Sequence, residues 1–158
     1  MNPPSNARFC ALLVLVAVAA CASPSATTSL PFGARTVAGK STQRPVLYVS
    51  ETHSNAVYTF DPANIAAGPA GKITAGINRP GALAVGPDGV LYVTNTFGNN
   101  VTLYKAGATS PFRTIASTFG VPERVAVSAD NTLAIAYTKG FRKSGELVIY
   151  DKGSATPT

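Results

Sequence analysis

The chain alternates short β-rich runs with tight polar turns. From Arg79 to Tyr104 it reads RPGALAVGPDGVLYVTNTFGNNVTLY. Ala82 to Val85 alternates small and large apolar residues, as a half-buried strand does. Pro87-Asp88-Gly89 predicts a tight turn, because glycine takes the positive φ that such hairpins need. Val90 to Thr94 predicts a second strand, Gly98-Asn99-Asn100 a second turn, and Val101 to Tyr104 a third strand. No segment holds a helical period apart from the apolar run near the N-terminus.

The same phrases return. Val46-Leu47-Tyr48-Val49-Ser50 recurs as Val90-Leu91-Tyr92-Val93-Thr94, 44 residues on, and Val57-Tyr58-Thr59-Phe60 recurs as Val101-Thr102-Leu103-Tyr104 at the same offset. A third copy opens at Thr132-Leu133-Ala134-Ile135-Ala136 and continues in Leu147-Val148-Ile149-Tyr150, after a longer loop. The strand ahead of each unit repeats too, Pro80 to Gly89 aligning with Pro122 to Asn131. Asn131 stands where Gly89 stood, and Asn is the other residue that tolerates left-handed backbone. Weaker fourth strands are expected near Lys72 to Ala75 and Phe112 to Ala116.

Four short strands in 42 to 44 residues make a blade of a β-propeller. The expected fold is all-β, with about 2.6 antiparallel blades between Val46 and Thr158. The second strand of each unit is nearly continuously apolar, which predicts burial between neighbouring blades. Tyr48, Tyr58, Tyr92 and Tyr104 fall at repeated strand positions and are expected to pack there. A propeller usually has four to eight blades. Three accounts stay open: a partial propeller cut from a longer one, copies closing a ring by self-association through the open edge, or a small stand-alone stack of sheets.

The repeat P-x-x-L-A-V-x-P-D-G-x-L-Y-V-x-N-T-x-x-N-x-V resembles those of the NHL, SMP-30/gluconolactonase-like and YncE-like propeller group, over Val46 to Tyr150. That resemblance implies the fold. It leaves activity open, because the group contains enzymes and plain binding modules. WD40 repeats fit less well, since the chain has no Trp.

The N-terminus reads as an address. Behind Arg8, Phe9 to Ala20 is an uncharged run of 12 residues. It is shorter than the roughly 20 residues a membrane-spanning helix needs, and it has the length of a secretory h-region. It ends in Val18-Ala19-Ala20-Cys21, which resembles the bacterial lipobox. The resemblance implies a signal peptide over 1–20, lipidation of Cys21, and export to the cell envelope. Ala22 in place of Asp points to the outer membrane if the cell is Gram-negative. Residues 21–45, rich in Ser, Thr, Ala and Pro, read as a flexible tether, and 46–158 as the propeller domain. Cys10 and Cys21 are the two cysteines, so the mature domain is expected to hold by packing alone.

The formal charge of +6 changes little, because the basic residues are scattered and only Arg142 and Lys143 are adjacent. Nucleic acid is therefore not the expected partner.

Candidate chemistry sits at strand ends, where propeller sites form. Glu51, Asn95 and Tyr137 occupy equivalent positions, each followed by a threonine. Lining a shared channel mouth, their oxygens would suit Ca²⁺ or Mg²⁺, and SMP-30-like lactonases use a faintly similar Glu/Asn/Asp set. The competing reading makes them turn residues ending a strand. Arg79 is suited to an anionic ligand. His53, the single histidine, reads as a solvated loop residue. Asp88 and Asp130 recur at the same turn, which reads as capping of the turn backbone. With no Ser-His-Asp set, phosphate-cradling loop or zinc spacing, no catalytic residue is assigned, and Ca²⁺ or Mg²⁺ is the one cofactor left open. The expectation is a lipid-anchored module that binds or scaffolds an envelope protein, glycan or small molecule. The alternative is a metal-dependent SMP-30-like lactonase or hydrolase, or a streptogramin-lyase-like fragment.

Overall fold

A computed structural model describes residues 17–18, 44–140 and 144–158. The turns set its plan. In the central unit the Gly89 N–H donates to the Gly86 carbonyl and the Gly86 N–H to the Val90 carbonyl, both at 2.9 Å, with Gly89 at φ 79°. The third unit repeats this closure with a side chain in place: Asn131 N–H to the Ser128 carbonyl at 3.0 Å and Ser128 N–H to the Thr132 carbonyl at 2.9 Å, with Asn131 at φ 68°. Asn keeps the left-handed bend that glycine makes without steric cost.

These turns join three antiparallel sheets. The first contains β1 (Ala17–Val18), β2 (Leu47–Glu51), β3 (Ala56–Phe60) and β4 (Gly71–Ile73), in that spatial order, with a single 3-10 turn at Ile65–Ala67 between β3 and β4. The second contains β5 (Pro80–Val85), β6 (Leu91–Asn95), β7 (Asn100–Tyr104) and β8 (Arg113–Ala116). The third contains β9 (Val121–Val127), β10 (Leu133–Thr138) and β11 (Glu146–Tyr150). The protein is all-β, and its sheets are blades of a partial β-propeller. The expected fourth strands are β4 and β8. The strand β1 was not expected: it falls inside the apolar N-terminal run and takes the inner place in the first blade that β5 takes in the second. Cys21 and most of the tether lie outside the described residues.

The core lies between blades. Tyr48, Val57 and Ile73 of the first blade pack with Leu83, Leu91, Val93 and Tyr104 of the second. On the other side Tyr92, Val101, Leu103 and Ile115 pack with Leu133, Ile135, Tyr137, Val148 and Tyr150 of the third. Strand alternation sorts the residues, Leu91 and Val93 facing one neighbour and Tyr92 the other. All five residues of β6 are buried, whereas β2 buries only Tyr48 and β10 alternates. The expected burial of every second strand thus holds in the central blade alone, since each outer blade has one neighbour among the described residues. Tyr58 also departs from expectation: it is half-buried, with the Lys72 ammonium 5.4 Å from its ring centroid.

Equivalent leucines should therefore differ. Leu91→Ala is expected to lower stability by about 3 kcal/mol, and Leu47→Ala by about 1, read from urea midpoints at constant slope. Equal losses would contradict this account of the packing.

Candidate functional site

The β2–β3 turn, the link from β4 to β5, and the β6–β7 turn meet at one end of the blades. Arg79, in the link, holds them together. Its N–H donates to Asn55 Oδ1 at 2.6 Å. Its carbonyl accepts from the Thr96 N–H at 3.1 Å and from Thr96 Oγ1 at 2.9 Å. Its backbone sits at φ 50°, a region that costs a residue with a Cβ about 1–2 kcal/mol. These bonds from two neighbouring turns hold it there. The guanidinium carbon lies 3.9 Å from the ring centroid of Phe97, a cation–π stack. Phe97 is 66% exposed. Among the described residues no carboxylate makes an ion pair with Arg79.

Glu51 ends β2 and turns back on its own loop. Its carboxylate accepts from the His53 N–H at 2.9 Å and from the Ser54 N–H. The Ser54 hydroxyl first, and then the His53 amide, lower its pKa below the usual glutamate range. His53 is exposed, its Nδ1 3.6 Å from the same carboxylate. The flanking Ser50 and Thr52 hydroxyls cross to the second blade, donating to the Gly81 and Pro80 carbonyls at 2.8 and 3.0 Å. This edge of β2 is therefore stitched to the inner strand next door.

Asn95 has no exposed surface. Its Nδ2 donates to Asn100 Oδ1 at 2.9 Å and to Thr102 Oγ1 at 3.0 Å, and its Oδ1 accepts from the Asn78 N–H at 3.0 Å. Tyr137 is buried between the second and third blades, its hydroxyl 3.1 Å from that of Tyr150 and its ring 5.6 Å from Phe119. Burial first, and then Tyr150, raise its pKa above the usual tyrosine value. Position in the repeat makes Glu51, Asn95 and Tyr137 equivalent, but each is engaged within its own surroundings, and no hydrogen bond joins any two of them. Among the described residues no group of three His, Cys, Asp or Glu side chains is placed to hold a metal ion. What converges at this end is Arg79 with Phe97. An aromatic in a Thr-Phe-Gly-Asn turn, where polar residues are usual, was the available signal for Phe97.

The opposite end carries the two repeated aspartates. Asp88 Oδ1 accepts from the Val90 N–H and Asp130 Oδ1 from the Thr132 N–H, each at 3.1 Å. With its amide oriented to suit its neighbours, Asn131 donates to both oxygens of Asp88, at 3.2 and 3.3 Å. Between these blades a depression of about 20 Å³, lined by Tyr92, Leu103, Arg113, Asn131 and Gly153, has room for a water molecule. Organic ligands need several hundred Å³.

No family model matches the chain, and no curated protein matches it. Solved structures share its fold. Hydrazine synthase of Kuenenia stuttgartiensis is 22% identical with a TM-score of 0.60, over 72% of this chain and 31% of that one. A chain in the crystal structure of a mitotic checkpoint complex is 19% identical with a TM-score of 0.56, over 71% of this chain and 35% of that one. The chain thus spans about a third of each. Likeness at this identity is likeness of fold.

Asp130 generates a pH prediction. The Ser128 hydroxyl and the Thr132 amide hold its pKa at about 2, against 3.8 ordinarily. A carboxyl lowered on folding stabilises the fold above its unfolded pKa, and that contribution fades as pH falls through the folded one. Acid unfolding profiles should therefore show Asp130 supporting the fold at pH 5, with its contribution falling between 3.8 and about 2. Asp130→Asn should remove that part of the slope; an unchanged slope would refute the assignment.

Proposed function

We propose that this chain is a lipid-anchored propeller module of the cell envelope, exported behind residues 1–20 and held by Cys21, and that it binds or scaffolds rather than catalyses. The observation that carries the binding part is the Arg79–Phe97 stack. A cation with no carboxylate partner among the described residues lies on an exposed aromatic ring, on a backbone clamped by Asn55 and Thr96. Rigid placement of Arg and an aromatic ring is what recognition surfaces use, because little side-chain freedom is left to lose on binding. The partner is an envelope protein, a glycan or a small molecule, and its contact with Arg79 is through an anionic or hydrogen-bond-accepting group. The engaged side chains of Asn95 and Tyr137 favour this reading over metal-dependent chemistry at the repeat positions. The likeness of the repeats to the NHL, SMP-30-like and YncE-like group agrees with either role. The lipobox pattern supports the anchor.

Cells fed an alkyne-tagged fatty acid should carry the tag on this protein in the membrane fraction, and Cys21→Ser should lose it. Absence of the tag from the parent would sink the anchor. Millimolar Ca²⁺ or Mg²⁺ should move the melting temperature of the protein by less than about 1 °C. A larger rise that Glu51→Gln abolishes would favour a lactonase or lyase over a binding module.

A further inference from the structure

Neighbouring blades meet through two different faces. The forward face, turned to the next blade, carries Tyr48, Val57 and Ile73 in the first blade and Tyr92, Val101, Leu103 and Ile115 in the second. The rear face, turned to the preceding blade, carries Leu91, Val93 and Tyr104 in the second and Leu133, Ile135 and Tyr150 in the third. Each interface therefore joins a forward face to a rear face, and strand alternation keeps the two sets apart. The stack of three blades ends in one face of each kind.

At the rear of the first blade Leu47, Val49 and Phe60 hold the repeat places of Leu91, Val93 and Tyr104. The register agrees: Leu47 is paired with Phe60 and Val49 with Tyr58, as Leu91 is with Tyr104 and Val93 with Thr102. At the front of the third blade Ala134 is paired with Ile149 and Ala136 with Leu147, as Tyr92 is with Leu103 and Thr94 with Val101. None of these end-face residues joins a buried cluster. Leu47, Val49, Tyr58 and Phe60 are half-buried, and Leu147 and Ile149 are exposed.

Size changes in opposite directions on the two end faces. At the rear, Tyr58 stands in the place of Thr102 and adds bulk. At the front, Ala134 stands where the other two forward faces have Tyr48 and Tyr92, and among the described residues no fourth-strand isoleucine corresponds to Ile73 and Ile115. A bulkier rear face opposite a hollowed forward face conserves the volume that must be filled between blades.

We propose that a second copy of this chain covers both end faces. The rear of its first blade seats on the forward face of the third, and the reverse contact closes the ring. Contacts of this head-to-tail kind either close or run on as filaments. Three blades per copy make six in a pair, within the four to eight that propellers close with, and nine in a trimer, outside it. The closed assembly is therefore a dimer, with Leu147 and Ile149 buried as Val101 and Leu103 are within one chain. Its two-fold axis runs along the channel, so both Arg79–Phe97 stacks stand at the same end of the ring.

Light scattering over a dilution series of the full chain, kept free of lipid as Cys21→Ser, should give twice the chain mass at the concentrated end. A single-chain mass throughout would leave the two faces to another occupant and overturn the proposal, and so would a mass that grows without limit. Leu147→Lys should halve the mass. Leu147 is exposed in the single chain, so the far-ultraviolet circular dichroism should not change. A dimer that survives Leu147→Lys overturns the proposal, because association through the apolar N-terminal run would survive it too. The small loss expected above for Leu47→Ala belongs to the dilute, single chain. Crosslinking tests the arrangement without relying on the lysine variant. In a Cys10→Ser and Cys21→Ser background, Val49→Cys and Leu147→Cys are placed on separate chains, since their repeat counterparts Val93, Ile135, Val57 and Val101 are the fully buried centres of the two internal interfaces. Mixed, the chains should link through a short bis-maleimide, and each alone should not. A 147–147 link would mean copies packed front to front, and no 49–147 link would mean faces that do not meet; either result overturns the head-to-tail ring.

Discussion

A twisted sheet with apolar residues on both faces needs a neighbour on each. That constraint organises this protein. The central blade meets it on both sides and buries all of β6. Among the described residues its outer neighbours meet it on one side, and the consequence is visible in β11, where Val148 and Tyr150 are buried while Leu147 is 67% and Ile149 37% exposed. The alternation of a single strand records which face has company. Stability in such a stack is built from nearest-neighbour interfaces. The two clusters centred on Leu91 and on Ile135 are those interfaces, and they share no buried residue.

Much of this was legible in the sequence because each repeat carries its own turn chemistry. Pro-Asp-Gly and Ala-Asp-Asn mark hairpins by positive φ and an aspartate cap, both local effects that survive in any tertiary setting. Strand β1 was not legible. Val-Ala-Val meets the demands of a leader's apolar segment and of an inner strand equally well, and its partner lies some thirty residues away, beyond a stretch without pattern. Composition separated the N-terminus from the domain where backbone register joins them.

Repeat position proved a better guide to place than to role. Glu51 and Asn95 end their strands and Tyr137 stands one residue before the end of its own, yet the first caps a turn, the second fills a buried amide network, and the third reaches a tyrosine in its own blade. Their surroundings diverged because the turns diverged: Thr-His-Ser-Asn, Thr-Phe-Gly-Asn, and a longer third loop. Arg79 drew notice for its charge alone. Its importance comes from backbone hydrogen bonds to two turns, which no residue pattern announces, and from a ring in one of those turns.

The contact between Asn131 and Asp88 bears on how such a chain diversifies. At the corresponding turn of the second blade, glycine supplies conformation and nothing more. In the third, the asparagine adds an amide that reaches back to the preceding blade. A residue accepted for its backbone has become a latch between modules. Blades that began as copies are thereby no longer interchangeable parts: transposing the second and third would leave a glycine where the latch belongs. Their order along the chain has become part of the information that the fold contains.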